Sequence, residues 1–307
     1  VIYDDMGCMF TLPRDYNEIL TAKGIQCRVF NRFVPVMSLR LNNRDHRKIC
    51  VIDGKVAFTG GVNLADEYIN KKVRFGHWKD TAIKIEGDAV QSFTMMFLQM
   101  WNITERQPED YAKYLTEKQP GFSRKDGYII PYGDSPFDHE NVGEEVYFHI
   151  LNHAKKYVHI MTPYLILDNE MIDALTRAAK GGIEVQIIMP HIPDKPYAFY
   201  LAKTYYEELI AGGVEIYEYT PGFVHAKVFT SDDDTATVGS INLDYRSLYL
   251  HFECGVFIYR NPVVRDIEKD FQDTLAKCQK VTMTEVRNRS TFVKIYGQVL
   301  RLVAPLM

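Results

Sequence analysis

The sequence lacks the cysteine pattern of a disulfide-rich or metal-binding domain. Its five cysteines are odd in number and scattered, and no two of them have the CxxC spacing of a metal or redox site. This usage is typical of a protein from a reducing compartment. We therefore assign no chemistry to the cysteines and expect Cys50 and Cys254, which lie in apolar runs, to be small buried residues.

Long hydrophobic runs and an excess of basic residues are also missing. No window reaches the roughly 18 apolar residues of a transmembrane helix. The formal net charge of -4 argues against a nucleic-acid-binding protein that relies on bulk positive charge, so an anionic partner must be met by local charges. The chain is nevertheless 46% hydrophobic, which is enough for a substantial core.

One pattern of polar residues occurs twice, in "DHRKICVIDGKVAFTGGVN" and in "FVHAKVFTSDDDTATVGSIN". In both copies Lys, Asp and Asn follow His at the same three intervals. The first copy consists of His46, Lys48, Asp53 and Asn63. The second copy consists of His225, Lys227, Asp232 and Asn242. A single copy arises easily by chance, whereas two copies in register indicate an internal repeat with one composite site.

The repeat also predicts the fold. Strand-like segments alternate with amphipathic helices, which is typical of an α/β sheet covered on both faces. We predict two related repeats, each a mixed β-sheet flanked by helices. The boundaries are 1–122 for the first repeat, 123–143 for a polar linker, 144–284 for the second repeat and 285–307 for a C-terminal basic amphipathic helix. The first repeat lacks the β-α-β unit that opens the second, so we expect an N-terminal truncation of about 35 residues.

The repeated residues suit phosphoryl transfer through a covalent intermediate. One neutral imidazole attacks phosphorus, and a second, protonated imidazole gives its proton to the leaving alkoxide. The two lysines and the two asparagines of the repeats supply charges and amides that stabilise an oxyanion-rich transition state, a task that metal ions perform in other sites. We therefore predict neither a metal ion nor a cofactor.

An attacking imidazole also needs an acceptor for its second nitrogen. Asp80 in "HWKDTAIKIEG" and Glu253 in "HFECGVFIY" each lead an apolar run and are predicted to orient the histidines, with Asp80 as the partner of His46. Solvated charges at strand ends are the alternative for both acids. Asp53 and Asp232 are candidate catalytic residues by their place in the pattern, although a structural role in the turn is open for each.

The chain resembles the phospholipase D superfamily, whose members carry two H-x-K-x4-D motifs that meet at one site. The segments "HRKICVIDGKVAFTGGVNLADEYI", "MTPYLILD" and "GSINLDYRSLYLHFE" are similar to bacterial cardiolipin synthases. The resemblance implies two halves packed about a pseudo-twofold axis and a phosphohistidine intermediate. We predict that His46 is the nucleophile and that His225 acts as acid and then as base. His251 departs from the family pattern, which has asparagine at this position.

The resemblance implies that a phosphatidyl group passes from one phosphatidylglycerol to another with release of glycerol. It places the catalytic part at the cytoplasmic face of a bacterial cell membrane, with an N-terminal anchor that is not in this chain. A phospholipase D-type hydrolase with water as acceptor and a non-enzymatic membrane scaffold are the alternatives. The acidic pI argues against a nuclease.

The C-terminal segment 286–306 shows a helical apolar stripe. The stripe consists of Phe292, Ile295, Tyr296, Val299, Leu302, Val303 and Leu306, and the basic residues that lie largely off it are Arg287, Arg289, Lys294 and Arg301. This pattern favours a helix on an anionic membrane surface. A terminal helix docked on the domain is the alternative, and the oligomeric state is not predicted.

Overall fold

The described part of the first repeat contains short strands and three helices. The computed structural model describes residues 1–9, 11–32, 42–104, 109–115 and 127–306. The strands of the first repeat are β1 (Ile2–Asp4), β2 (Arg28–Phe30), β3 (Cys50–Ile52), β4 (Val56–Gly60), β5 (His77–Lys79) and β6 (Ala82–Glu86). Its helices are α1 (Asp5–Cys8), α2 (Tyr16–Ala22) and α3 (Val90–Thr104), with single 3-10 turns at Asp66–Ile69 and Tyr111–Tyr114.

The second repeat has longer strands. They are β7 (Tyr128–Asp134), β8 (Tyr157–Met161), β9 (Glu184–Pro190), β10 (Glu215–Tyr219), β11 (Gly222–Val224), β12 (Val228–Ser231), β13 (Thr235–Gly239), β14 (Glu253–Tyr259) and β15 (Cys278–Lys280). The helices are α4 (Val142–His153), α5 (Asn169–Lys180), α6 (Pro196–Ala211), α7 (Tyr245–Tyr249), α8 (Val263–Leu275), α9 (Met283–Arg287) and α10 (Thr291–Leu302), followed by a 3-10 turn at Ala304–Leu306.

Eight strands of the second repeat form one mixed sheet in the order β15-β10-β9-β8-β12-β13-β14-β7. β8, β9 and β10 are parallel, and the remaining pairs are antiparallel. Successive residues of a strand point to opposite faces, so Ile187 packs into one core with α4, α5 and α6, whereas Ile188 packs into another with α3 and α8. The predicted α/β fold with helices on both faces of a mixed sheet is confirmed.

The sheet of the first repeat is divided into two pieces. β1 pairs with β2, while β3, β4 and β6 form a separate antiparallel sheet. In the second repeat β8 joins the two corresponding parts, because it pairs with both β9 and β12. No described strand of the first repeat takes the place of β8. Leu64 and Ile69 are accordingly 107% and 66% exposed, whereas Leu243 and Leu248, at the equivalent positions, are buried in the second core.

Two short backbone pairings join the repeats to each other. β5 of the first repeat pairs in parallel with β11 of the second. Asp45 forms an isolated parallel bridge with Phe252. Both pairings lead directly into the residues of the repeated pattern, so the two copies are held face to face by main-chain hydrogen bonds.

Three expectations about local structure need correction. The predicted linker 123–143 is ordered structure from Tyr128 onward, where β7 forms the edge of the large sheet and α4 begins at Val142; residues 123–126 lie outside the described part. Cys50 is exposed, unlike Cys254. The segment 285–307 does not form one helix, because Ser290 caps a new helix, α10, after α9 has ended at Arg287.

Helix α10 docks on α6 through one face only. Gly297 is buried there, and a Cβ at this position would meet the side chain of Thr204. Its opposite face exposes Phe292, Ile295, Tyr296, Val299, Leu302 and Val303. Among the residues described, no helix is long and apolar enough to cross a membrane.

Candidate active site

Each of the two pattern histidines is held by a carboxylate of the other repeat. His46 Nδ1 lies 2.8 Å from Glu253 Oε1, and His225 Nδ1 lies 2.8 Å from Asp80 Oδ2. The prediction that the two acids orient the histidines agrees with this geometry. The predicted pairing of Asp80 with His46 is wrong, since the partners are exchanged between the repeats.

The exchange follows from the main-chain pairing between the repeats. The His46 N–H donates to the Phe252 carbonyl at 3.0 Å, and the His225 N–H donates to the Lys79 carbonyl at 2.7 Å. Phe252 immediately precedes Glu253, and Lys79 immediately precedes Asp80. The same register therefore brings each acid beside the histidine of the opposite repeat.

Glu253 is fully buried and surrounded by donors. Besides His46, the hydroxyl of Ser247 donates to Oε1 at 2.7 Å and the hydroxyl of Ser240 donates to Oε2. Burial alone raises the pKa of a carboxyl group, but His46 and His251 outweigh it and hold the pKa of Glu253 below its ordinary value. Sequence reasoning missed both serines, although they lie in the quoted segment "GSINLDYRSLYLHFE".

Asp80 has a different setting. Its Oδ1 accepts the Thr81 N–H at 2.8 Å, and a Cβ on Gly61 would overlap the same oxygen. Gly61 stands where the second repeat has Ser240. Because Gly61 has no side chain, the carboxylate of Asp80 fits against the main chain beside His225. We call each histidine with its acid a half-site, so that His46 and Glu253 form the first and His225 and Asp80 the second. Burial raises the pKa of Asp80, but His225 and Lys227 together lower it below its ordinary value.

The two lysines lie beside the histidines. Lys48 Nζ donates to the His46 carbonyl, and Lys227 Nζ donates to the His225 carbonyl. Lys227 is only 2% exposed, and burial lowers its pKa to about 7. Burial lowers the pKa of Lys48 as well. An anion bound between the repeats would favour the charged form of both groups, which is the property expected of a phosphate site.

Burial also keeps both histidines neutral. The pKa of His46 is lowered to about 3 and that of His225 to about 4, in both cases chiefly by desolvation. Because Nδ1 of each ring faces a carboxylate, Nδ1 is assigned the proton and Nε2 carries the lone pair. The side chain of His46 is 25% exposed and that of His225 7%, which is consistent with the absence, in the described first repeat, of a counterpart to β8.

The two asparagines have unequal surroundings. Asn63 Nδ2 donates to the hydroxyl of Tyr68 at 2.6 Å, and the Tyr68 ring meets the His225 ring edge-on, with centroids 5.2 Å apart. Asn242 is buried, and its Oδ1 has no hydrogen-bond partner among the described residues. Tyr68 is a further site residue. The comparison of the two copies did not identify it, because the equivalent position of the second copy is Ser247 and the two residue types differ.

Asp53 and Asp232 lie away from the histidines. Seven residues of extended chain span roughly 23 Å, so each acid stands at the far end of the segment that starts at its histidine. Asp232 accepts the N–H groups of residues 155, 156 and 157 at 2.7–3.1 Å. Asp53 is exposed in the corresponding turn. The contacts of Asp232 are those of a structural residue in its turn, and the catalytic role expected of Asp53 and Asp232 stays a prediction.

His251, the departure from the family pattern, stands beside the first half-site. Its ring centroid is 5.6 Å from that of His46, and its Nδ1 is 3.7 Å from Glu253 Oε1. Ligand atoms of His46, His251 and Glu253 all lie within 4.8 Å of one another. These three are the residues of the described chain that could hold a metal ion, and the prediction of a metal-free reaction stays a prediction.

Residues 147–275 match the protein family described as "Cardiolipin synthase, PLD-like domain". This segment carries the second copy of the pattern, and the structure places the first copy opposite it. The chain belongs to the phospholipase D superfamily.

Relatives of this superfamily member cover its whole length. A protein of Streptococcus mutans is 55% identical over 307 residues, which are 100% of this chain and 66% of the relative. "Cardiolipin synthase 2" of Bacillus anthracis is 36% identical over 308 residues, which are 100% of this chain and 59% of that protein. The chain therefore spans only about three fifths of the length of this synthase.

A solved structure shows the same fold. It is that of phosphatidylserine synthase from Haemophilus influenzae Rd KW20, with a TM-score of 0.66 and 15% sequence identity. The match covers 86% of this chain and 71% of the other. At this identity the likeness shows the architecture of the superfamily and no particular substrate.

Proposed function

We propose that the chain is the catalytic part of a cardiolipin synthase-like phosphatidyltransferase. The crossed pairs, His46 with Glu253 and His225 with Asp80, carry this proposal. They give two imidazoles with free Nε2 lone pairs, each oriented by a buried carboxylate, beside two lysines. This set suits a double displacement at phosphorus, in which one imidazole bonds to phosphorus and the other moves the proton.

In the first step His46 Nε2 attacks the phosphorus of one phosphatidylglycerol. The bond from phosphorus to the glycerol oxygen breaks, and protonated His225 gives its proton to that oxygen, so glycerol leaves. The anionic phosphate beside His225 favours the protonated imidazole that this step needs. Lys48 and Lys227 stabilise the charge on the nonbridging oxygens.

In the second step the hydroxyl of another phosphatidylglycerol attacks the phosphohistidine. His225 Nε2 removes the hydroxyl proton, the new phosphorus–oxygen bond forms, and the phosphorus–nitrogen bond to His46 breaks. Cardiolipin leaves, and both imidazoles return to their starting states. Buried Glu253 stays ionised throughout, since its depressed pKa opposes transfer of the His46 proton to it.

Product analysis separates this function from hydrolysis. The protein is incubated with phosphatidylglycerol labelled in the phosphate and, separately, in the glycerol headgroup. Cardiolipin and free glycerol in equal amounts support the transferase. Phosphatidic acid as the sole lipid product would instead establish a phospholipase D-type hydrolase that uses water as acceptor.

Trapping of the intermediate tests the assigned roles. His225→Asn removes the acid and base but leaves His46, so a label that is stable in alkali and labile in acid is expected to accumulate on the protein. His46→Ala is expected to carry no label. If instead the His46→Ala variant carries the label and the His225→Asn variant does not, His225 is the nucleophile and His46 is the acid and base.

The proposed partner is an anionic phospholipid surface at the cytoplasmic face of a bacterial membrane. The exposed apolar face of α10 supports this, because Phe292 and Leu302 are 78% and 84% exposed. Binding to vesicles of phosphatidylglycerol, compared with vesicles of phosphatidylcholine, tests it. Phe292→Ser with Leu302→Ser is expected to weaken binding to the anionic vesicles.

A further inference from the structure

The ring of His251 lies beside both members of the His46–Glu253 pair, and its two nitrogens make no hydrogen bond to any described residue. Both of its ring nitrogens are buried, and neither has a hydrogen-bond partner in the part of the chain that the structure describes. Its Nδ1 is 3.7 Å from Glu253 Oε1, just beyond hydrogen-bond length. A buried imidazole without partners is costly, so its position calls for a function.

The other half-site contains the same arrangement with a different ring. Trp78 precedes Asp80 by two residues, as His251 precedes Glu253 by two. The Trp78 ring is 5.3 Å from the His225 ring between centroids, and Trp78 Nε1 donates to Asp80 Oδ2 at 3.4 Å. In each half-site a ring therefore stands beside the histidine and turns a nitrogen toward the acid.

The backbone explains this correspondence. Residues two apart on an extended chain project from the same side, so the ring and the acid face the same histidine. The His251 N–H donates to the Arg246 carbonyl at 2.9 Å, and the Phe252 N–H donates to the Arg44 carbonyl at 2.8 Å, so the main chain on both sides of this ring is held in place just after α7.

We propose that His251 is a positioning residue for the first half-site, whose Nδ1–H donates to Glu253 Oε1 and holds that carboxylate on His46. A shift of about 0.5 Å brings the 3.7 Å separation to hydrogen-bond length. An ionised carboxylate offers about four acceptor sites. Ser247 and His251 on Oε1, with Ser240 and His46 on Oε2, from which His46 Nδ1 is 3.1 Å away, would fill two sites on each oxygen, so Glu253 would stay ionised and fixed.

Substitutions that keep or remove the N–H test the proposal. The proposal for His251 rests on the proposed function only in one respect, which is that His46 is the nucleophile. His251→Leu is expected to slow phosphohistidine formation by about tenfold, the ratio that corresponds to one hydrogen bond to a charged group, with KM nearly unchanged. His251→Asn and His251→Trp retain an N–H donor and are expected to recover most of the lost rate. Equal rates in His251→Leu and the parent, or an Asn variant as slow as the Leu variant, would overturn it.

A spectroscopic measurement keeps the test independent of the reaction. The proton on His46 Nδ1 is observed by NMR of the protein with ¹⁵N-labelled histidine. His251→Leu is expected to shift this resonance and leave that of His225 unchanged, whereas Trp78→Phe is expected to do the reverse. An unchanged His46 resonance in a folded His251→Leu variant would overturn the proposal. If the protein forms no phosphohistidine at all, only the proposed function fails, since the resonance still reports the contact.

Discussion

Glu253 Oε1 lies 2.8 Å from His46 Nδ1, although the two residues are 207 positions apart and belong to different repeats. Asp80 and His225 form the reciprocal contact, 145 positions apart. Each of the two pattern histidines therefore takes its carboxylate from the opposite repeat. The catalytic unit requires both repeats in register, and a change in either acid is expected to act on the histidine of the opposite half.

Removing the charge of each acid is expected to stop the reaction at a different stage. In Glu253→Gln the amide N–H donates to His46 Nδ1 and moves the proton of His46 to Nε2, so the nucleophile is lost. The rate of phosphohistidine formation should fall about a thousandfold. In Asp80→Asn the same change disables His225 as a base, so phosphohistidine should form and accumulate. Rapid-quench labelling measures both, and accumulation in Glu253→Gln with none in Asp80→Asn would contradict the crossed assignment.

The pH dependence is expected to report Lys227. Burial lowers its pKa to about 7, so in the free protein the ammonium needed at the phosphate is lost as the pH rises above that value. The first step needs protonated His225, whose pKa is about 4, so this group alone makes kcat/KM fall about tenfold per pH unit throughout this range, whereas His46, with a pKa of about 3, stays neutral and adds no change. The fall is therefore expected to steepen above about pH 7, from about tenfold to about a hundredfold per pH unit.

Lys227→Arg serves as the matched variant for this steepening. A guanidinium stays protonated, so the steepening of the fall in kcat/KM near pH 7 should disappear in this variant, even if its kcat/KM is lower throughout. The measurement is a pH profile with a monodisperse short-chain phosphatidylglycerol. If the fall in kcat/KM steepens at the same pH in the parent and in Lys227→Arg, the steepening belongs to a group other than Lys227.

Much of the site could be predicted from the sequence because the repeat makes it visible. Equal intervals from His46 and His225 identify the lysines and asparagines, and the single acids that open apolar runs identify Asp80 and Glu253. The intervals carry no information about which strands pair across the repeats, so the exchange of partners could not be predicted. It depends on two main-chain contacts, from His46 to Phe252 and from His225 to Lys79.

Other errors had local causes. Polar composition suggested a linker at 123–143, although an edge strand such as β7 also tolerates polar and exposed residues. The motif also lists Asp53 and Asp232 without showing how far an extended chain separates them from the histidines.

Gly61→Ala is expected to impair the half-site of His225. A Cβ at this position would overlap Asp80 Oδ1 and approach the His225 carbonyl at 2.9 Å, so Asp80 has to move. Turnover should fall by about tenfold or more, because the imidazole loses its orientation. Gly133→Ala is the control, since its nearest neighbour would be 3.6 Å away, an ordinary contact. Equal turnover in the two variants would show that Asp80 tolerates displacement.

Asp232→Ala is expected to lower stability and to leave the chemistry intact. Asp232 accepts three main-chain N–H groups from residues 155–157, the approach to β8, so its loss should reduce the free energy of unfolding by about 1–3 kcal/mol. Asp53→Ala is the matched variant: φ is 53° at Asp53 and 54° at Asp232, so the strain of Ala in the left-handed region is common to both variants, and only Asp232→Ala also loses the three hydrogen bonds. Denaturant titration measures the difference, and kcat at a temperature where both variants are folded should match the parent. A loss of kcat in folded Asp232→Ala would establish a role for this residue in the reaction, against the distance between the turn and His225.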